Sequence, residues 1–133
     1  MKTEEHEESL KQHKEAIFDW AIEVKGIENS QRIIGLHASR AALDILAIYL
    51  QKTKRIGPGM QLNHRWFKSK KVSGKLPAFP HKAPILEKII ELEKTCEKLS
   101  YGSKKDKSEV LKAVKLLQNI EEDVTKVMKN ELE

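Results

Sequence analysis

Two sets of residues in this chain have types and spacing that could do chemistry. Arg32 and His37 stand five apart in an R-x4-H pattern. An arginine holding a phosphate beside an imidazole that moves a proton would suit metal-independent cleavage of an RNA backbone. Five residues, however, turn a helix through roughly 500°, so on one regular helix these side chains diverge. His37 also sits in the most apolar stretch of the chain, where a packed histidine is the ordinary outcome. The second set is "HRWFKSKKVSGK", residues 64–75, which crowds basic side chains against two aromatics. Lys and Arg there would neutralise phosphates, and Trp66 or Phe67 would either stack on an exposed base or anchor the segment on a core.

Other chemistries find little support. His64 and His81 flank the basic segment without a third ligand, and zinc requires three or four protein ligands. No metal or cofactor is therefore expected. Cys96 lies on an apolar helical face and reads as packed rather than reactive. No Gly-rich phosphate loop, paired carboxylates or Ser/His/Asp set occurs. Arg40 and Asp44, four apart, are placed to pair along a helix.

Charge is unevenly distributed. The chain of 133 residues carries a formal +5, yet no Asp or Glu occurs from Ile45 to Leu86, where nine Lys and Arg fall. The other residues hold 16 basic and 20 acidic groups. A near-neutral body with a basic middle suggests a polyanionic partner.

The elements that would position these residues are helical. Leu10, Ile17, Ala21 and Val24 form one stripe of a first helix, with Phe18 and Trp20 at its margins and Gly26 as its stop. Asn29 or Ser30 is placed to cap a second helix, which runs through "IIGLHASRAALDILAIYLQK" and is apolar nearly all round, so it should be central. "RIGPGM" ends it, and the following stretch to about residue 82 shows no sustained period. Residues 54–82 are thus expected to form a long irregular basic connector, with one short turn at "NHRWFK". Pro84 opens a third helix carrying Ile85, Leu86, Ile89, Ile90, Cys96 and Leu99, with Glu93 as a polar intrusion. Asp106 and Glu109 have the spacing of a capping box for a fourth helix, striped by Val110, Val114, Leu117, Ile120, Val124 and Val127. Residues 1–8 read as a mobile acidic tail. The expected fold is all-α: a single domain, a four-helix up-and-down antiparallel bundle with a long basic connector between helices 2 and 3.

One cysteine cannot make an internal disulfide. The acidic N-terminus lacks the apolar region of a signal peptide, and no apolar run reaches the ~20 residues of a membrane span. A cytoplasmic protein without membrane association is expected.

The stretch "NSQRIIGLHASRAALDILAIYLQKTKRIGPGMQLNHRWF" resembles the HEPN domains, small helical bundles that include the partner subunits of minimal nucleotidyltransferases. "APILEKIIELEKTCEKLSYG" is similar to their third helix and "KKDKSEVLKAVKLLQNIEEDV" to their last, so the resemblance covers roughly residues 8–130. Ribonuclease members carry an Arg, four to six residues and a His, usually beside a Tyr, late in the bundle. Here "KTCEKLSY" puts Lys94 and Ser100 at those places, and only Tyr101 agrees. Serine cannot replace an imidazole acid or base, and lysine lacks the bidentate fork of arginine. The resemblance therefore implies a non-catalytic module, with a homodimer expected.

The expected function is nucleic-acid or nucleotide binding by Lys52, Lys54, Arg55, His64, Arg65, Trp66, Lys68, Lys70 and Lys71, with RNA ahead of DNA. One alternative is a metal-independent ribonuclease built on Arg32, His37 and Tyr101. Another is an interaction subunit that docks a nucleotidyltransferase.

Overall fold

A computed structural model describes all residues from Met1 to Glu133. It contains helices and no strands. The first helix, α1 (Thr3–Lys14), runs without interruption into a π-helical stretch at Glu15–Lys25, and Gly26, at φ +84°, ends it. Three further helices follow, α2 (Gln31–Lys52), α3 (Lys82–Ser100) and α4 (Lys107–Leu132).

Contacts between side chains fix the topology. His6 meets Asp44 and His13 meets His37, so α1 and α2 run antiparallel. Ser39 meets Glu93 and Arg32 meets Ser100, while Lys88 meets Asp123 and Lys112 meets Glu91, so α3 runs antiparallel to both α2 and α4. The result is an up-and-down four-helix bundle. α2 lies at its centre and touches the other three helices. By length and composition α2 could cross a membrane, which the count of uninterrupted apolar residues did not anticipate. Most of its apolar surface is instead packed inside the bundle.

Three local expectations need correction. The tail expected over residues 1–8 is helical from Thr3, because His6 is buried and bonded to Asp44, and Thr3 Oγ1 donates to Gln51 Oε1 at 2.8 Å. Val24, placed on the buried stripe by α-helical spacing, is 63% exposed, since the π-helical winding turns less per residue and swings it out. Ser30 does not cap α2 with its side chain. Its hydroxyl donates to the carbonyls of Ala21 and Gly26 and ties the end of the first helix to the start of the second.

The connector is more ordered than its composition suggests. Two 3-10 turns, His64–Lys68 and Lys70–Lys75, occupy its middle. Asn63 Oδ1 caps the first by accepting from the Arg65 N–H, and Ser69 Oγ caps the second by accepting from the Lys71 N–H. Phe67, Val72, Leu76 and Phe79 are buried and fasten the segment to the core. Phe67 is an anchor, and Trp66 is half-buried with Lys75 Nζ 5.4 Å from its ring centre.

At Gly35, α2 and α3 come unusually close. A Cβ there would stand 2.9 Å from Leu99 Cβ and 3.1 Å from the Cys96 carbonyl oxygen. Such distances leave no room for a side chain, so glycine sets how near the two helices lie. This close approach forms the floor of the cleft described next.

Candidate anion-binding cleft

Between α2, α3 and the first 3-10 turn of the connector lies an open cleft of about 560 Å³. α2 contributes Arg32, Gly35, Leu36, Ser39 and Arg40, the connector His64, Arg65 and Lys68, and α3 Glu93, Cys96, Glu97 and Ser100, with Tyr101 at the rim. The spacing along α2 explains its share, because 32, 35, 36, 39 and 40 recur at three and four residues and therefore line one face. His64, Arg65 and Lys68 reach the cleft because buried Phe67 pins their turn against the bundle.

Glu93, the polar intrusion in α3, lies beneath the cleft and is buried. Its Oε2 accepts from the Ser39 hydroxyl at 2.5 Å, and its Oε1 lies 3.1 Å from His64 Nδ1. A carboxylate only accepts, so the imidazole donates from Nδ1 and Nε2 is left free of partners in the chain. The His64 side chain is 47% exposed, which leaves that second nitrogen open to a ligand.

Positive charge surrounds this histidine. The side chains of Arg40, Arg65 and Lys68 make no hydrogen bond or ion pair within the chain. Arg40 does not pair with Asp44, because Asp44 is occupied by His6 Nδ1 at 2.7 Å and by the Ser9 hydroxyl at 2.6 Å. Arg32 is committed elsewhere, with Nη1 donating to the Ser100 carbonyl at 2.9 Å and Nη2 to the Gly102 carbonyl at 3.2 Å. It holds the α3 end in place and puts Ser100 and Tyr101 beside the cleft.

The residues singled out by sequence divide into groups. His64, Arg65 and Lys68 converge on the cleft, and Trp66 lines the groove next to it. Lys52 faces a different groove and lies 3.6 Å from Glu7. Arg55 grips Glu131 through two nitrogens at 2.7 and 3.1 Å and donates from Nε to the Ala78 carbonyl, joining both ends of the connector to α4. Lys54, Lys70 and Lys71 are exposed and line neither cleft. Tyr101 and Arg32 both border the cleft, whereas His37 points to His13, their Nδ1 atoms 2.8 Å apart. Burial lowers the His13 pKa below the usual histidine range, with Asp44 opposing and Arg40 adding to this, and burial, the neighbouring His13 and Arg40 lower that of His37. His81 lies in a separate small groove with Asp123 and Lys126. Burial pushes the Cys96 thiol up to about 12, so no thiolate forms at the cleft near neutral pH.

Sequence reasoning did not assign Ser39, Arg40 and Glu93 to a site. The signal lay in Glu93, a carboxylate on an otherwise apolar stripe, which is rarely buried without partners. Tracing those partners leads to Ser39 and His64.

Comparison with family models, with curated proteins and with solved structures finds no match to this chain.

Proposed function

We propose that this chain is a non-catalytic, HEPN-like binding module that holds the phosphate of a nucleic acid or nucleotide in the α2–α3 cleft. The observation that carries this reading is the convergence of three unpartnered cations, Arg40, Arg65 and Lys68, on one concave site beside His64. The cleft also carries Glu93 and Glu97, but Arg32, Arg40, Arg65 and Lys68 outnumber them, and an anionic ligand relieves the repulsion among the excess cations. Arginine suits the task because its planar fork meets two phosphate oxygens at once. Contacts of this type position a backbone and read no bases, so little sequence preference is expected. RNA is the preferred polymer of this reading.

The test is binding of end-labelled single-stranded RNA, hairpin RNA and duplex DNA at several salt concentrations with chelator present. Salt-sensitive binding that falls in Arg40→Gln and Arg65→Gln supports the reading. Unchanged affinity and salt slope in both variants overturn it.

One observation favours a second reading, strand cleavage. A histidine oriented by a carboxylate and facing bound phosphate is placed to act as general acid or base. That role falls to His64 rather than His37. Intact strands in the same chelator-treated samples would remove this reading, and cleavage abolished by His64→Ala would establish it.

A further inference from the structure

A second groove, of about 480 Å³, borders the cleft and shares Arg40 and His64 with it. Its walls are α1, α2 and the connector ahead of the first 3-10 turn. The lining differs in kind from that of the cleft. Leu43, Leu62 and Trp66 supply half-buried apolar surface. Gln61 and Asn63 supply amides at the rim. The Gln61 amide has no partner in the chain, and Asn63 uses only its carbonyl oxygen, in capping Arg65. The groove's other ionisable groups are engaged: His6 and Ser9 hold Asp44, His13 meets His37, and the Met1 ammonium donates to the Pro58 carbonyl at 2.9 Å.

An anion gains little from such a groove beyond Arg40 and His64. A flat uncharged ring with polar edges gains more, since its faces meet apolar surface while its edge meets amide donors and acceptors. We propose that the second groove is a nucleobase subsite, and that Arg40 and His64 hold the phosphate joined to that base. The ligand is then a nucleotide unit laid across both hollows, either free or within a strand. This inference rests on the phosphate reading of the cleft and adds the base to it.

Calorimetric titration of the full chain with nucleoside monophosphates, ribose 5-phosphate and inorganic phosphate tests the subsite. Base contact should make a nucleoside monophosphate bind roughly tenfold tighter than ribose 5-phosphate. Gln61→Ala, at an exposed position, should shrink that ratio and leave ribose 5-phosphate binding unchanged, while Arg40→Gln should weaken every phosphate ligand. Equal affinity for nucleoside monophosphate and ribose 5-phosphate, both lost in Arg40→Gln, would overturn the subsite and leave the phosphate cleft standing. No binding of any of the three, nor of RNA, at low salt would overturn both. A dinucleotide that binds tighter than a mononucleotide identifies a strand as the source of the unit, and equal binding identifies a free nucleotide.

Discussion

The bundle builds the same hydrogen-bond chain twice. At the α1–α2 contact, Ser9 and His6 each bond one oxygen of Asp44; between α2, α3 and the connector, Ser39 and His64 each bond one oxygen of Glu93. Both carboxylates are buried. What differs is the far side of the imidazole. His6 is itself buried, and its Nε2 has no partner in the protein, so the chain ends inside and serves to fasten α1. His64 is half-exposed and opens into a cleft with three free cations. A constellation of residue types thus does not specify a role, which is set by whether its last atom reaches solvent and what charge waits there.

The sharpest way to break this comparison is to remove each carboxylate. Asp44→Ala leaves Ser9 and His6 without their shared acceptor, and two buried groups so stranded should cost about 3 kcal/mol in urea unfolding. Glu93→Gln should act mainly on the ligand, because the amide oxygen still accepts from Ser39 while its NH2 turns to His64 Nδ1, which can then no longer donate there. Its expected signature is weaker nucleotide binding with a smaller change in unfolding midpoint. Equal destabilisation by the two would mean that both chains are fasteners.

Gly35→Ala comes next in size. The added methyl meets Leu99 and the Cys96 carbonyl, so the helices must move apart, at about 2 kcal/mol. The cleft should widen, and phosphate binding should weaken with the fall in thermal midpoint.

Arginines give the complementary contrast. Arg55→Gln breaks the clamp on Glu131 and should cost about 1 kcal/mol, given that both partners are part-exposed, with nucleotide affinity unaltered. Arg40→Gln and Arg65→Gln should shift stability by less than about 0.5 kcal/mol, yet each should lower the salt slope of RNA binding by about one.

The smallest expected effect is on pH. His13 and His37 titrate lower in the folded protein than their ordinary value of 6.5. Below 6.5 the unfolded chain therefore binds more protons than the folded one, and stability falls as pH falls through that region. His37→Asn should flatten this slope in urea midpoints measured between pH 5 and 7.

Much of the architecture could be read directly from side-chain periodicity. The central place of α2 follows from apolar residues on nearly every face, and Gly26, Pro84 and Asp106 marked helix ends by backbone geometry and capping. The winding of residues 15–25 could not be read, because an α-helical and a π-helical register share most of one apolar stripe and separate only toward its end, at Val24. The candidate site was legible in part. A run without acids located its connector side, but composition does not tell a free cation from a paired one. Arg55 and Arg65 look alike in sequence, and only Glu131, 76 residues distant, distinguishes them. Arg40 was hidden by an apparent partner at Asp44 that three-dimensional packing gives to His6 and Ser9.

The central position of α2 also bears on how the chain is made. α2 leaves the ribosome before the connector, α3 and α4 that cover most of its apolar surface. A nascent chain halted after Lys52 has only the first helix to shield it, and exposed apolar surface of this kind recruits chaperones or other half-made chains. The yield of this protein in a cell is thereby tied to how quickly its second half is translated, a dependence that the finished, well-covered bundle no longer displays.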